Sequence, residues 1–291
     1  MKVLVTGAGG QLGREIRLEC PPGVDLVAVD ESQLDLTRAS DVAQQVAALQ
    51  PDVVVNAAAY TAVDRAEQEK DLAFAVNDQG VRNLASAADR SEARLIHFST
   101  DFVFSGDQSR PYGPEAGTDP QGVYGASKLA GEQHVIDTAI GGVVIRTAWV
   151  YSRFGHNFVK TMLGLFGNRD EVKVVADQIG TPTWARGLAR VVWSACQRSD
   201  LQGLYHWTDA GAASWYDFAI AIQEEADGLG LLDSTCRIRP ISTADFPTAA
   251  RRPSYSVLDT TRTCRDLGIE PIHWRQQLRA MLQEIRDHGD D

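Results

Sequence analysis

Short runs of consecutive apolar residues alternate with longer mixed stretches through the first half of the chain. Lys2–Thr6 (KVLVT), Asp25–Val29 (DLVAV), Asp52–Asn56 (DVVVN), Leu95–Ser99 (LIHFS) and Val143–Thr147 (VVIRT) have the length and β-branched content of strands. Their near-continuous apolar character suits parallel strands buried on both faces. Helical patterns lie between them, near Gln11–Glu19, Ala39–Leu49, Asp71–Ala88 and Tyr124–Asp137. Thr37 or Ser40 is placed to cap the second of these. Strand-helix alternation of this kind predicts an α/β fold built on a doubly wound parallel sheet.

The pattern breaks at Ser105–Gly122 (SGDQSRPYGPEAGTDPQG), a polar, Gly- and Pro-rich stretch that is long for a connection inside a compact domain. After Trp149 the order is less regular, and tryptophan recurs at Trp184, Trp193, Trp207, Trp215 and Trp274. This half predicts a smaller, mixed α/β lobe that covers a substrate. The chain closes on a short polar end, HGDD.

Composition narrows the class. A chain of 291 residues, 44% hydrophobic, can bury a full core. No apolar run approaches the ~20 residues that span a bilayer. The chain enters a strand at once, without the apolar core of a secretory signal, so a cytoplasmic location is expected. A net charge of -11 argues against nucleic acid and anionic membrane as partners. It still allows an anionic small molecule at a local cluster of arginines. Cys20, Cys196, Cys236 and Cys264 lack C-x-x-C spacing, so reduced structural thiols are expected rather than a metal site.

The candidate chemistry begins with VLVTGAGGQLG. Gly7, Gly10 and Gly13 form G-x-x-G-x-x-G between a strand and a helix. That context lets backbone approach a pyrophosphate at a helix N-terminus, the arrangement of a Rossmann dinucleotide site. Asp30 ends the second strand, where a carboxylate can hold the adenosine ribose and favour NADH over NADPH. Arg14 is near enough in sequence to offset that preference. Asp35-Leu36 can flank the adenine, and the small residues of Asn56-Ala57-Ala58-Ala59 let a dinucleotide cross the sheet edge. Tyr124 and Lys128, four apart in YGASKLAGE, share one helix face. A free phenol has a pKa near ~10, and a neighbouring ammonium lowers it toward use as a proton donor and acceptor. With Ser99-Thr100-Asp101 after another apolar run, the set points to hydride chemistry on a nicotinamide cofactor. The dinucleotide-binding domain is expected to span 1–148, with segments returning near 172–200 and 238–262. The remainder of 149–291 is expected to form the substrate lobe.

These residues occur in strings that are more specific. VTGAGGQLGRE, NAAAYTAVDRAE, FSTDFVFSG, VYGASKLAGE, RTAWVYS, NFVKTML, DQIGTPT and RPSYSVLD run from residue 5 to residue 259. The chain resembles the extended short-chain dehydrogenase/reductases, and within them the dTDP-4-dehydrorhamnose reductases. The resemblance implies Tyr124 as general acid, Lys128 as its partner on the nicotinamide ribose, and Thr100 as the third member of a triad. It implies that Gly7, Gly10, Gln11, Leu12, Asp30, Asp35, Leu36, Ala57, Ala58, Tyr60 and Lys128 line NADPH or NADH. Thr61, Val63, Phe102, Phe104 and Trp149 would border the deoxysugar, with Arg252 near the nucleotide end of a dTDP-deoxysugar substrate.

Sugar-nucleotide dehydratases are similar but follow the catalytic threonine with Asp-Glu. Here Thr100-Asp101-Phe102 lacks the glutamate, which disfavours elimination. Some bacterial reductases of the family bind magnesium through glutamates at a dimer interface. Glu15 matches the first, but Thr181–Leu188 offers none for the second, so no structural metal is expected in a monomer or homodimer. Two other readings compete with the dTDP-4-dehydrorhamnose reductase. One is a 4-ketoreductase for another dTDP-deoxysugar. The other is a non-catalytic regulatory subunit of methionine adenosyltransferase, which has no chemical need for an intact Thr100, Tyr124 and Lys128.

Overall fold

A computed structural model of the protein describes residues 1–138 and 140–289. Residues 290 and 291 of the polar HGDD end lie outside the described residues. The expected strands form as β1 (Lys2–Thr6), β2 (Asp25–Val29), β3 (Val53–Asn56), β4 (Arg94–Thr100) and β5 (Val143–Thr147). They pair in parallel in the order β5-β4-β3-β1-β2. A further strand, Gly203–His206, extends the sheet by pairing with β5. Its four residues, GLYH, are too short and too mixed to stand out from loop by pattern.

The continuous apolar runs are explained by two covered faces. On one face Val3, Val5, Val55 and Ile145 pack under α1 (Gln11–Leu18) and the helix Ala185–Cys196. On the other, Leu4, Val54, Leu95 and Val144 meet α2 (Ala39–Leu49) and the helix Val81–Arg90. Each fully buried aliphatic side chain contributes roughly 1.5–3 kcal/mol. A polar residue inside such a sheet therefore stands out.

Two local expectations are corrected. α2 is capped by neither Thr37 nor Ser40; its N-cap is Arg38, with no side-chain cap. The Thr37 hydroxyl donates to Asp35 at 2.7 Å and that of Ser40 to Asp41 at 3.0 Å, so both are engaged elsewhere. The helix expected at Asp71–Ala88 runs as Lys70–Phe74, a π-helical turn Ala75–Gly80, and Val81–Arg90. Widened turns of this kind cluster at functional positions. Here the turn carries Asn77, whose side chain accepts from the Tyr60 N–H at 2.9 Å and donates to the Tyr60 carbonyl at 3.0 Å.

A second core lies beyond the sheet. Tyr151, Phe166, Trp184, Phe218, Trp274 and Leu278 meet there, among the helices Phe158–Phe166, Trp215–Gly228 and Trp274–His288. Glu171–Val175 pairs in parallel with Arg237–Ile241 and packs into this core through Val172, Val174 and Ile238. Ala185–Cys196 and Gly203–His206 return to the main sheet, and Cys264, Leu267 and Ile269 also pack against its core. Strand pairing, not sequence distance, decides which core each segment joins. Among the described residues no helix is long and apolar enough to cross a membrane.

One buried ion pair ties the sheet to the helix Val123–Ile136. Arg146 on β5 donates to both carboxylate oxygens of Glu132, at 2.9 and 2.6 Å, and both side chains are 3% exposed. Arg146→Met should destabilise the protein by roughly 3–5 kcal/mol, because Glu132 is left buried without a counter-charge. The double variant Arg146→Met/Glu132→Met should recover most of that loss in denaturant titrations. If the single variant is as stable as the parent, the pair does not hold this face together.

Candidate active site

The carboxyl edge of the sheet gathers most of the expected residues. Gly7 turns the chain out of β1 at φ +71°, a conformation that favours glycine. A Cβ there would lie 2.5 Å from the Ala58 N, so the β1 and β3 turns touch through bare backbone. Gly10 begins α1 without any side-chain cap, leaving first-turn N–H groups open toward an anion. The Gln11 side chain instead accepts from Asn157 at 2.9 Å, and Leu12 packs against the sheet core.

Asp30 lines a cleft of about 800 Å3 that also contains Arg14, Arg153 and Phe154. Its carboxylate accepts from the Ser32 hydroxyl at 2.6 Å, which holds its pKa below the usual range. The Arg14 and Arg153 guanidinium carbons lie 5.2 and 4.1 Å from the Phe154 ring centre. Acid and bases therefore share the cleft where the adenosine ribose is expected. Asp35 accepts from the N–H and hydroxyl of Thr37, and Leu36 is buried with its carbonyl held by Asn83. The Ala57 N–H donates to the Thr6 carbonyl and that of Ala58 to the Asn56 side chain. The Tyr60 hydroxyl donates to Glu69 at 2.6 Å, which raises its pKa.

Tyr124 and Lys128 both sit on the helix Val123–Ile136. This helix comes so close to the backbone after β4 that a Cβ on Gly125 would lie 2.2 Å from the Phe102 carbonyl. Thr100 ends β4, accepts from the Phe102 N–H at 3.2 Å and donates to Asp101 at 3.1 Å. The Phe102 ring meets Tyr124 edge-on at 5.6 Å. Burial pushes the Tyr124 phenol up to about 12; the Thr100 hydroxyl acts in the opposite direction and the Asp101 charge adds to the rise. Burial also brings Lys128 down to about 8, against the charge of Glu132, and raises Asp101 to about 6. Lys128 Nζ lies 3.3 Å from His97 Nε2, and burial is the largest influence on the phenol. The phenol is therefore fully protonated at neutral pH, the form that a ketone reduction consumes.

The expected substrate residues divide. Val63 opens the short helix Val63–Ala66, and the next residue, Asp64, accepts from Arg252 at 2.8 Å. Thr61 is exposed just before it. Arg252 lines a groove of about 410 Å3 with Arg251, Ser105 and Phe246. Trp149 is partly buried, adopts φ +48° and stacks on Trp215 at 3.5 Å with planes 6° apart. Phe104 is corrected. It is buried at 1% exposure and stacked on Tyr112 at 4.2 Å, with the Arg146 guanidinium carbon 5.2 Å from its own ring centre, so it belongs to the core rather than a sugar pocket.

Two buried polar pairs beside these residues were not recognised as such from the chain, Asn77 with Ser127 and Asn56 with His97. Their signal was present in the sequence as Asn and His inside the apolar runs DVVVN and LIHFS. A divalent ion does not fit the carboxylates around Glu15. Glu15 accepts from Ser152 at 2.6 Å and from Arg186 at 3.1 Å, and the same guanidinium meets Glu19 and Glu284. An arginine already supplies the positive charge among those acids.

A doubly wound sheet with a glycine turn, an acid after β2 and a Thr-Tyr-Lys set at its carboxyl edge defines a nucleotide-dependent oxidoreductase fold of the short-chain type. The chain belongs to the family described as RmlD substrate binding domain, whose model matches residues 1–287. It is 42% identical over 285 residues to the dTDP-4-dehydrorhamnose reductase of Aggregatibacter actinomycetemcomitans, covering 96% of this chain and 97% of the relative. It is 40% identical over 290 residues to a probable dTDP-4,6-dihydroxy-2-methyloxan-3-one 4-ketoreductase of Streptomyces antibioticus, covering 98% and 96%. The crystal structure of the Bacillus anthracis dTDP-4-dehydrorhamnose reductase in complex with NADP superposes with TM-score 0.92 at 38% identity, over 97% of this chain and 99% of that one.

Tyr124→Phe removes one hydroxyl from a packed ring and should leave melting temperature and cofactor affinity near the parent values. Turnover should fall by roughly 10²–10⁴-fold, as expected for loss of a general acid. Near-parental turnover would remove Tyr124 from the chemistry.

Proposed function

We propose that the protein reduces the C4 ketone of dTDP-4-dehydrorhamnose to give dTDP-L-rhamnose, with NADPH or NADH as reductant. The observation that carries this reading is the placing of Tyr124 and Lys128 one turn apart on the Val123–Ile136 helix, over the end of β4 that carries Thr100 and beside an uncapped glycine turn, in a chain that matches reductases of that name along nearly its whole length.

The residues fit a dinucleotide. The open first turn of α1 suits a pyrophosphate, Asp30 a ribose diol, and Lys128 the nicotinamide ribose. When bound, the nicotinamide supplies the hydride. Tyr124 gives its phenolic proton to the oxygen forming at C4. The Thr100 hydroxyl steadies that oxygen and then the phenolate. Lys128, as the ammonium, offsets the phenolate charge until solvent returns the proton. In a buried site these fixed groups act more strongly than in water. Phe102 places an aromatic edge against Tyr124 where a dehydratase carries a second acid, so no carboxylate pair is available for elimination. Arg252, braced by Asp64, suits the diphosphate or thymine end of the substrate.

A second reading, a 4-ketoreductase for another dTDP-deoxysugar, is favoured by the similarity to the Streptomyces protein. Assays with a panel of dTDP-4-keto-6-deoxy sugars separate the two. The highest kcat/KM is expected with dTDP-4-dehydrorhamnose; a clearly better alternative sugar would replace the first reading with the second. Both cofactors should support turnover, because Asp30 shares its cleft with Arg14 and Arg153. Asp30→Ala should raise the NADPH-to-NADH ratio of kcat/KM by removing a like charge beside a 2′-phosphate. An unchanged ratio would show that Asp30 does not read the ribose.

A further inference from the structure

Thr6, Asn56 and His97 stand opposite one another across β1, β3 and β4, and all are buried. Their hydrogen bonds run in one direction that backbone fixes. Asn56 Oδ1 accepts from the Ala58 N–H at 3.1 Å and from the Thr6 hydroxyl at 2.7 Å. A backbone N–H can only donate, so the oxygen of the amide must face it and the nitrogen must face the other way. Asn56 Nδ2 then donates to His97 Nδ1 at 3.0 Å. Nδ1 therefore carries no proton. Burial holds His97 neutral, so its one proton is on Nε2. Nε2 lies 3.3 Å from Lys128 Nζ. An ammonium has three donors and no acceptor, so this contact is a hydrogen bond only with the neutral amine.

The charges around Lys128 do not compensate. Glu132, one turn along the same helix, supports the ammonium, but Arg146 from β5 takes both its oxygens. From the π-helical turn, Asp78 pairs with His134; from the Val63–Ala66 helix, Asp64 pairs with Arg252. Glu67 accepts from the Val123 N–H. Asp101, after β4, receives the Thr100 hydroxyl, and Tyr124 is a neutral phenol.

We propose that His97 is a positioning residue that favours the neutral amine of Lys128 until the dinucleotide binds, so that cofactor binding is coupled to proton uptake at Lys128 Nζ. The inference rests on the reading that places the nicotinamide ribose beside Lys128. Ribose hydroxyl oxygens accept from an ammonium, and the dinucleotide phosphates bring negative charge, so the bound state favours the charged form. The proton comes from solvent. Above a pH of about 8 the positive charge that offsets a Tyr124 phenolate is then largely supplied on cofactor binding.

Calorimetry of NADH binding in buffers of different ionisation enthalpy counts this proton. NADH is used because it lacks the titrating 2′-phosphate, and no sugar nucleotide is added. The parent enzyme should take up about half a proton at a pH near the Lys128 value of about 8, more above it and almost none two units below. Lys128→Met should bind NADH without uptake. His97→Gln places an amide oxygen against Lys128 and should cut the uptake at least twofold at the same pH. Asn56→Asp turns the donor to His97 into an acceptor, moves the imidazole proton to Nδ1, and should have the same effect. Binding without uptake in the parent overturns the inference alone. So does parental uptake in both His97→Gln and Asn56→Asp, or uptake that persists in Lys128→Met. Failure of the parent to bind NADH would overturn the cofactor-site reading and the inference with it.

Discussion

A parallel sheet covered on both faces leaves almost no place for an unpaired polar side chain, and the site is built from the exceptions. On the face toward the Val123–Ile136 helix, Leu4, Val54 and Leu95 form an apolar row across β1, β3 and β4. The next row toward the carboxyl edge is Thr6, Asn56 and His97, and the one after that is Ser99, Arg146 and His206. Burying such groups without partners costs on the order of 1–3 kcal/mol each, so each row must be wired internally or to the helix above. Asn56 and His97 reach Lys128, and Arg146 reaches Glu132. Tyr124 and Lys128 are thus held by the polar end of a sheet whose other rows are hydrocarbon.

The same burial sets the protonation states. It raises the Tyr124 phenol and the Asp101 carboxyl and lowers Lys128 and His97. Every shift moves its group toward the neutral form, as expected where desolvation outweighs local charge. Without cofactor the site therefore stores an acid rather than a phenolate, which suits reduction over oxidation. Negative charge from a dinucleotide reverses the balance at Lys128 first, because its partner Glu132 is already committed to Arg146.

Much of this was legible in the chain. The strand runs were visible because parallel strands need apolar residues on both faces, and β1, β2 and β5 lie where the pattern places them. The glycine turn and the Tyr124–Lys128 spacing were visible because each answers a local geometric demand. Other features depend on contacts far apart in sequence. Phe104 reads like Phe102, two residues earlier, yet Tyr112 from the long polar loop stacks on it and draws it into the core. The Gly203–His206 strand is defined by its pairing with β5, not by its own composition. The π-helical turn carries Asn77, which grips Tyr60 from seventeen positions away. The tautomer of His97 depends on an N–H two residues after β3. A doubly wound sheet of this kind hosts many unrelated reactions. The sheet is therefore common to several chemistries, and the side chains at its carboxyl edge distinguish them.

The central claim is that this edge delivers a hydride to C4 of a dTDP-4-keto sugar while Tyr124 delivers the proton. The most direct test is a single turnover with cofactor deuterated at the nicotinamide C4 position and dTDP-4-dehydrorhamnose, with the product read by NMR. The account predicts one deuterium at sugar C4, none at C3 or C5, and the L-rhamno configuration. Deuterium absent from C4, or a C4 epimer carrying it, would contradict the assignment of this site.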